Sequence, residues 1–600
     1  AESGVKGIVI VSAGFREVGE RGAEIENRIV SICKEAGIRL VGPNCLGVIN
    51  PLPEVRLNAS FSARMPKPGK ISFISQSGAL CTAVLDFAAD RDFGFSKFIS
   101  IGNKADVDEL DLLRYLHEDT NTEVIMIYLE ELRRGPEFVE TVKEITSGYR
   151  RTPVLVIKSG RTVAGAAAAA SHTGALAGSE AVYDAIFKQT GIIRAESIHE
   201  LFDFASAFAY KEESALGKLR RKVPHGNRVA IITNAGGPGI VATDVTVSSG
   251  LRLACFHEET IAALASHLPE TANLNNPVDV IGDASPDRYE NALSAVIKDE
   301  GVDGALVILT PQSMTNALAT AEAIVRVARG SQKPILCSFM GIVDVSAGVK
   351  YLQQHGYPVF NFPENAAKAF GTLYKYSQWV SRQQLAPLTL QHDRERADRI
   401  INSCLAAGKT HLGELDGTDL LQCYGFNVLP TRLAKDDREA VDIAEEITYP
   451  VVMKIVSPQI LHKSDAGGVV VGLKNREAVK KTYNDIVSRA SKYDPKAIIE
   501  GVLVQKLAPP GTETIVGMNR YPIFGPLLMF GLGGIYVELF EDVVFRLAPI
   551  GRNEARRMMH EIKGFKLFEG FRGRPKAYLV LIEKSLVCLS DLVLNHPEIS

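Results

Sequence analysis

The chain of 600 residues carries no CxxC pair, no HExxH helix and no Walker A loop. Its eight cysteines are scattered, no two nearer than Cys33 and Cys45. That fits reduced thiols in a cytoplasmic protein better than a disulfide framework or a zinc site. None of the 12 histidines has metal-ligand spacing. Without a Walker A loop, any nucleotide site is not of the P-loop kind. The opening residues Ala1-Glu2-Ser3-Gly4 place no basic segment before an apolar one, so no signal peptide is expected. The uncharged run from Tyr521 to Val537 holds two prolines and four glycines, which makes strands and a glycine loop rather than a membrane span. Neither sign of charge dominates, with 67 Lys+Arg against 70 Asp+Glu. This argues against nucleic acid or an anionic membrane as the main partner.

What is present is a recurring unit. Short apolar runs, each followed by a glycine-bearing turn and a helical stretch, occur at Gly7–Val11, Lys70–Ile74, Val124–Tyr128, Pro153–Ile157, Arg228–Ile232 and Ala305–Leu309. Continuous apolar strands alternating with helices predict parallel sheets covered on both faces, with ligands at the C-terminal ends of the strands. The fold class is therefore α/β and multidomain, since this length asks for about three to five domains. Residues 1–62 read as the second part of a Rossmann-type domain. Residues 63–215 and 225–385 read as two flavodoxin-like, doubly wound domains, and 386–404 as a linker. In 405–600 the strands alternate, as in Val469-Val470-Val471-Gly472-Leu473, so that one sheet face is free for a ligand.

Two histidines stand out, in Ser171-His172-Thr173-Gly174 and in His462-Lys463-Ser464-Asp465 with Gly467-Gly468. A neutral imidazole in a small-residue loop can carry a phosphoryl group, and five alanines before Ser171 leave His172 with few bulky neighbours. A histidine capping an alanine-rich helix is the plainer alternative. Glu130 closes an apolar strand and is placed to orient one imidazole nitrogen, or else is a solvated loop acid. Ser75-Gln76-Ser77-Gly78 and Thr233-Asn234-Ala235-Gly236-Gly237 each follow a strand and open a helix, so each is a candidate anion site or an ordinary strand-to-helix turn. Facing each other, such termini, each about half a positive charge, would hold a phosphate between them. Lys454 lies in the apolar strand Val451–Val456, where an unpaired ammonium is costly and a nucleotide phosphate is a natural partner. Gln505 and Glu513 lie on a strand and connector suited to frame a purine and ribose, and Gly531–Gly534 forms a glycine loop leading to Glu538.

In this order, Gly42-Pro43-Asn44-Cys45-Leu46-Gly47, Ser75–Gly78, Ser171–Gly174, Asn234–Gly239, Asn276-Pro277-Val278-Asp279 and His462–Gly468 resemble the nucleoside-diphosphate-forming acyl-CoA synthetases, the superfamily of succinyl-CoA synthetase. The resemblance runs along essentially the whole chain. It implies fused ligase parts ending in an ATP-grasp domain, which turn acyl-CoA, phosphate and ADP into acid, CoA and ATP through an acyl phosphate. It implies that His172 takes the phosphoryl group, supported by Glu130 and cradled by Ser77, Gly78, Gly236 and Gly237. His462, on a mobile loop, would then carry it to ADP. Asn44 and Cys45 would touch CoA, Lys454, Gln505 and Glu513 the nucleotide, and Glu538 the Mg2+. Against the family pattern, the chain starts inside the CoA-binding domain and stops before the stretch whose Asp and Asn hold magnesium. A homodimer, acetate or another short acid, and ADP are the expected partner and substrates, with ADP against GDP left open. The rival is a synthetase copy that senses ligands for a protein lysine acetyltransferase. Such copies tend to lose the first histidine, which this chain keeps.

Overall fold

Buried β-branched and aromatic runs leave a strand no polar face, so they assemble where helices cover both sides. The computed structural model describes residues 4–162, 164, 180–213, 219–382, 385–460, 462–534, 541–572 and 575–600. The chain divides into two compact units, Ala1–Gln383 and Gln384–Ser600. Among the described residues, no helix is long and apolar enough to cross a membrane.

The first unit opens with the parallel pair β1 (Gly7–Val9) and β2 (Arg39–Val41), joined by the helix Glu20–Glu35. The next strands are β3 (Gly47–Asn50), β4 (Leu57–Ser60), β5 (Pro68–Ser75), β6 (Phe95–Ser100), β7 (Val124–Leu129), β8 (Val154–Lys158) and β9 (Ile193–Arg194). They form one sheet in the order β4-β3-β6-β5-β7-β8-β9. The pairs from β6 through β9 are parallel, and β3 pairs antiparallel with both β4 and β6. Residues 47–60, expected to finish the first domain, are therefore the edge of the second sheet: the buried Ile49 pairs with Phe98 there. Phe98 packs against Phe73 in a tilted pair and against Phe95 edge-on, each with ring centroids 5.1 Å apart. Burying each such side chain contributes about 2 kcal/mol.

A hairpin of β10 (Lys211–Glu213) and β11 (Leu219–Arg221) leads to the second doubly wound sheet. Its strands are β12 (Arg228–Thr233), β13 (Arg252–Leu253), β14 (Val278–Asp279), β15 (Gly304–Leu309), β16 (Ile335–Phe339) and β17 (Val359–Phe360). The order is β13-β12-β15-β16-β17, all parallel, with β14 also on β12. In both sheets the winding reverses beside the first parallel strand, between β5 and β7 and between β12 and β15. Those are the points where such sheets bind ligands.

The second unit is antiparallel. Four strands, β18 (Thr431–Ala434), β19 (Val451–Val456), β20 (Val469–Leu473) and β21 (Gly501–Lys506), run in the order β18-β21-β19-β20. The helices Asp437–Ile447 and Arg476–Tyr493 bury one face of this sheet. Three more strands, β22 (Thr514–Tyr521), β23 (Gly525–Leu532) and β24 (Val543–Leu547), form a meander covered by the helix Leu579–Asn595. Part of the expected linker 386–404 is helical: Arg394–Ala406 buries Ala397 and Ile401 against Leu420, Tyr424 and Leu592. Its apolar positions, four apart, find a partner only in the folded unit.

Candidate functional site

The turn after β5 is built by its own small polar residues. Ser75 Oγ donates to the Ser77 carbonyl (2.8 Å) and accepts from the Ser77 N–H (3.1 Å). Ser77 caps the helix Gly78–Asp90, its hydroxyl accepting from the Leu80 N–H at 3.3 Å. Gln76 between them is buried and reaches across to the end of β7. Its Oε1 accepts from the N–H groups of Glu130 (2.7 Å) and Glu131 (2.9 Å), and its Nε2 donates to the Glu131 carbonyl (2.9 Å). One amide thus fixes the backbone of Glu130 relative to the helix that begins at Gly78. A Cβ on Gly78 would stand 3.4 Å from the Leu46 N, so the Asn44-Cys45-Leu46 loop lies against this helix start. Asn44 takes a left-handed backbone (φ 56°), which asparagine adopts readily, and donates to Asn103 Oδ1 at 3.2 Å. The Cys45 thiol turns inward to the Ile10 carbonyl at 3.3 Å, and burial pushes its pKa up to about 11.

The second sheet repeats the device. Thr233 Oγ1 donates to the Ala235 carbonyl (2.8 Å) and accepts from its N–H (3.0 Å). The buried Asn234 accepts from the Thr310 N–H (2.9 Å) and donates to the Thr310 carbonyl (3.0 Å) at the end of β15. Nothing stands within 4 Å of where a Cβ would lie on Gly236 or Gly237, so the helix Gly236–Ser248 opens its N-terminus onto space. The amides Gln76 and Asn234 escaped the sequence reading. Their signal was present, a hydroxyl residue, an amide, a small residue and glycine recurring after both strands. His172 lies outside the described residues, as does Glu538.

Two further cations crowd the first site. Lys104 is buried on Glu109 (3.0 Å) and on the Glu131 carbonyl (2.8 Å), and burial lowers its pKa. Lys158, at the end of β8, sits 4.5 Å over the Tyr183 ring, and burial brings its pKa down to about 8.

In the second unit Lys454 pairs with Leu503, and Val452 with Gln505. Paired residues and those two apart share a face, so Lys454 and Gln505 lie together opposite the core face of Met453 and Ile455. Gln505 donates to Thr431 Oγ1 at 2.9 Å. The anionic partner expected for this lysine is, within the chain itself, a carboxylate: Lys454 donates to Glu414 Oε1 at 2.7 Å, and Lys463 donates to Oε2 of the same group. The exposed His462 precedes Lys463 in a tight run closed by Gly468 N–H to the Lys463 carbonyl (2.8 Å). Glu513 stands elsewhere, beside the glycine loop, its carbonyl accepting from the Gly533 N–H at 2.8 Å. A cleft of about 560 Å³ lined by His257, His267 and Asp299 holds none of the residues expected to act.

Residues 68–208 match the succinyl-CoA ligase like flavodoxin domain, 229–385 the ligase-CoA domain and 403–600 an ATP-grasp domain. The ADP-forming acetate–CoA ligase I of Archaeoglobus fulgidus is 43% identical over 596 residues, 99% of this chain and 83% of that protein. The ADP-forming 4-hydroxybutyrate–CoA ligase of Nitrosopumilus maritimus is 39% identical over 99% of this chain and 84% of its own. Among solved structures, the acetyl-coenzyme A synthetase 1 of Ca. Korarchaeum cryptofilum, in complex with phosphate and ADP, superposes with a TM-score of 0.58 at 35% identity. That match covers 64% of this chain and 81% of the other.

Proposed function

The chain belongs to the ADP-forming acid–CoA ligase family, and from that we propose the route by which it makes acid, CoA and ATP from acyl-CoA, ADP and phosphate. Phosphate attacks the thioester carbonyl, the C–S bond breaks, and CoA leaves as the acyl phosphate forms. An imidazole nitrogen of His172 attacks phosphorus and the carboxylate leaves. The phosphoryl group passes from His172 to His462 and then to the β-phosphate of ADP. Thioester, acyl phosphate and phosphoimidazole are all high-energy groups, so each transfer is near balance.

The observation that carries this reading is the Gln76 clamp. It fixes the Glu130 backbone beside the helix start at Ser77-Gly78, against which the Asn44-Cys45-Leu46 loop lies. Such a helix start favours a phosphate, and Glu130 is the carboxylate for the imidazolium of His172. Gly236 and Gly237 offer a second N-terminus, this one open. Lys454 and Gln505 take the nucleotide on their shared face. Magnesium travelling on nucleotide phosphates needs only one or two protein carboxylates. Glu538, beyond the glycine loop, is the proposed carboxylate, with Glu513 kept for the nucleotide, and no cluster of three candidate ligands occurs among the described residues. Bound there, the ion would screen the charge on the nucleotide phosphates. Acetate or another short acid is the proposed substrate, in a cytoplasmic homodimer; the relatives' names support catalysis over the sensing rival.

The test incubates the full chain with acetyl-CoA and labelled phosphate, without nucleotide. Acid-labile label on His172, released as ATP when ADP is added, is the expected result. No label, with acetyl-CoA still bound, refutes the route. Repeating the assay with propionyl-CoA and 4-hydroxybutyryl-CoA identifies the acid by relative kcat/KM.

A further inference from the structure

One carboxylate in the second unit serves two lysines with different duties. Glu414 is the first residue of the helix Glu414–Cys423, whose N-cap Gly413 offers no side chain to the helix start. A carboxylate is favoured there by the helix dipole and is held on a rigid element. Its Oε1 accepts from Lys454, on the open face of β19, at 2.7 Å. Its Oε2 accepts from Lys463, the residue after His462. All three side chains are about one-quarter exposed, so the cluster is open to solvent and not part of the core. Burial would raise the Glu414 pKa, but the hydrogen bonds from Lys454 and Lys463 reverse this and hold the carboxyl below its usual range.

We propose that Glu414 is a positioning residue that latches the His462 segment to the nucleotide-binding lysine and is unlatched by the nucleotide. The inference rests on the reading of Lys454 as a nucleotide ligand and of His462 as the second phosphoryl carrier. With no nucleotide, Glu414 holds Lys463, and so His462, beside Lys454. Incoming phosphates bring several negative charges to Lys454 and repel the neighbouring carboxylate. Lys454 turns to the phosphates, the repelled Glu414 carboxylate draws away from Lys463 as well, and the segment around His462 is released when there is a nucleotide to serve. Glu414 touches neither the reacting phosphorus nor the imidazole; it acts through the two lysines.

The test compares the full wild-type chain with Glu414→Gln, Glu414→Asp and Lys463→Met. Amide hydrogen exchange over residues 457–473 and the Kd for ADP are measured, with His172 labelling from acetyl-CoA and phosphate as a folding and activity control. The expected result is slow exchange in nucleotide-free wild type, faster by about tenfold on adding ADP. Glu414→Gln and Lys463→Met are already fast without ADP, and Glu414→Asp restores part of the protection. In Glu414→Gln the ADP affinity rises several-fold, because a competitor for Lys454 has lost its charge, while His172 labelling is unchanged. Equal exchange in wild type and Glu414→Gln overturns the latch, and so does a weaker affinity for ADP in Glu414→Gln. A Lys454→Ala chain that binds ADP like wild type overturns the underlying nucleotide reading instead. The nucleotide-free comparison still decides the tether in that case.

Discussion

Replacing Gln76 by leucine keeps the bulk of the side chain and removes four hydrogen bonds. Those are the bonds from the N–H groups of Glu130 and Glu131, at 2.7 and 2.9 Å, the one to the Glu131 carbonyl at 2.9 Å and a long one to Glu109 Oε2 at 3.5 Å. A net hydrogen bond is worth about 1 kcal/mol, and an abandoned buried partner costs about 1–3 kcal/mol. The backbone at Glu130 and Glu131 is only half-buried, so water satisfies part of the loss, and the expected destabilisation of the first unit is about 3 kcal/mol. The chain has a single tryptophan, Trp379, in the helix Pro363–Ser381 of the first unit, where its ring lies against Gly191. Its fluorescence in urea therefore reports this unit and is not mixed with unfolding of the second. The same substitution frees the backbone that aims Glu130, so labelling of His172 by acetyl-CoA and phosphate should slow at least tenfold in conditions where the variant is still folded. A Gln76→Leu midpoint within about 0.5 kcal/mol of wild type, together with normal labelling, would refute the clamp.

The other predictions are of the same kind. Asn234→Ala removes the equivalent bonds to Thr310, at 2.9 and 3.0 Å, and should cost about 2 kcal/mol by the same urea assay; additivity with Gln76→Leu would show that the two clamps are independent. Lys158→Met should stabilise the first unit by about 2 kcal/mol at pH 7 once solvent screening is allowed for, because burial depresses the lysine pKa from 10.5 to about 8. Between pH 8 and 10.5 the unfolded chain binds the extra proton, so wild-type stability rises and the advantage of the variant fades; midpoints that run parallel from pH 7 to 10 would exclude this. Lys454→Ala should weaken ADP binding at least tenfold in calorimetry and leave labelling of His172 intact, whereas equal loss of both would mean misfolding. His462→Ala should accumulate label on His172 and make no ATP; ATP formation at the wild-type rate would end the two-histidine route.

Local pattern carried a large part of this protein. Continuous apolar runs such as Val124–Leu129 and Gly304–Leu309 set the parallel sheets, and glycine with small residues after β5 and β12 set the helix starts that can meet an anion. The alternation in Val469–Leu473 marked an open-faced sheet, and the ordered motifs marked the family. What sequence could not supply was the pairing of groups far apart in the chain. Gln76 meets Glu130 across 54 residues, and Lys454 meets Glu414 across 40. Such contacts exist only once the winding of the sheet brings two strand ends side by side, or once a helix start is set over a sheet face. For the same reason residues 47–60 joined the second sheet and not the first domain, and the expected linker held a helix: where an apolar face is buried depends on which surface closes over it. Sequence determined which elements form and which chemistry they can carry. Tertiary structure decided that one amide holds the backbone of Glu130, and that one carboxylate is shared by Lys454 and the neighbour of His462, because a polar group drawn out of water takes whichever partner the fold brings within reach.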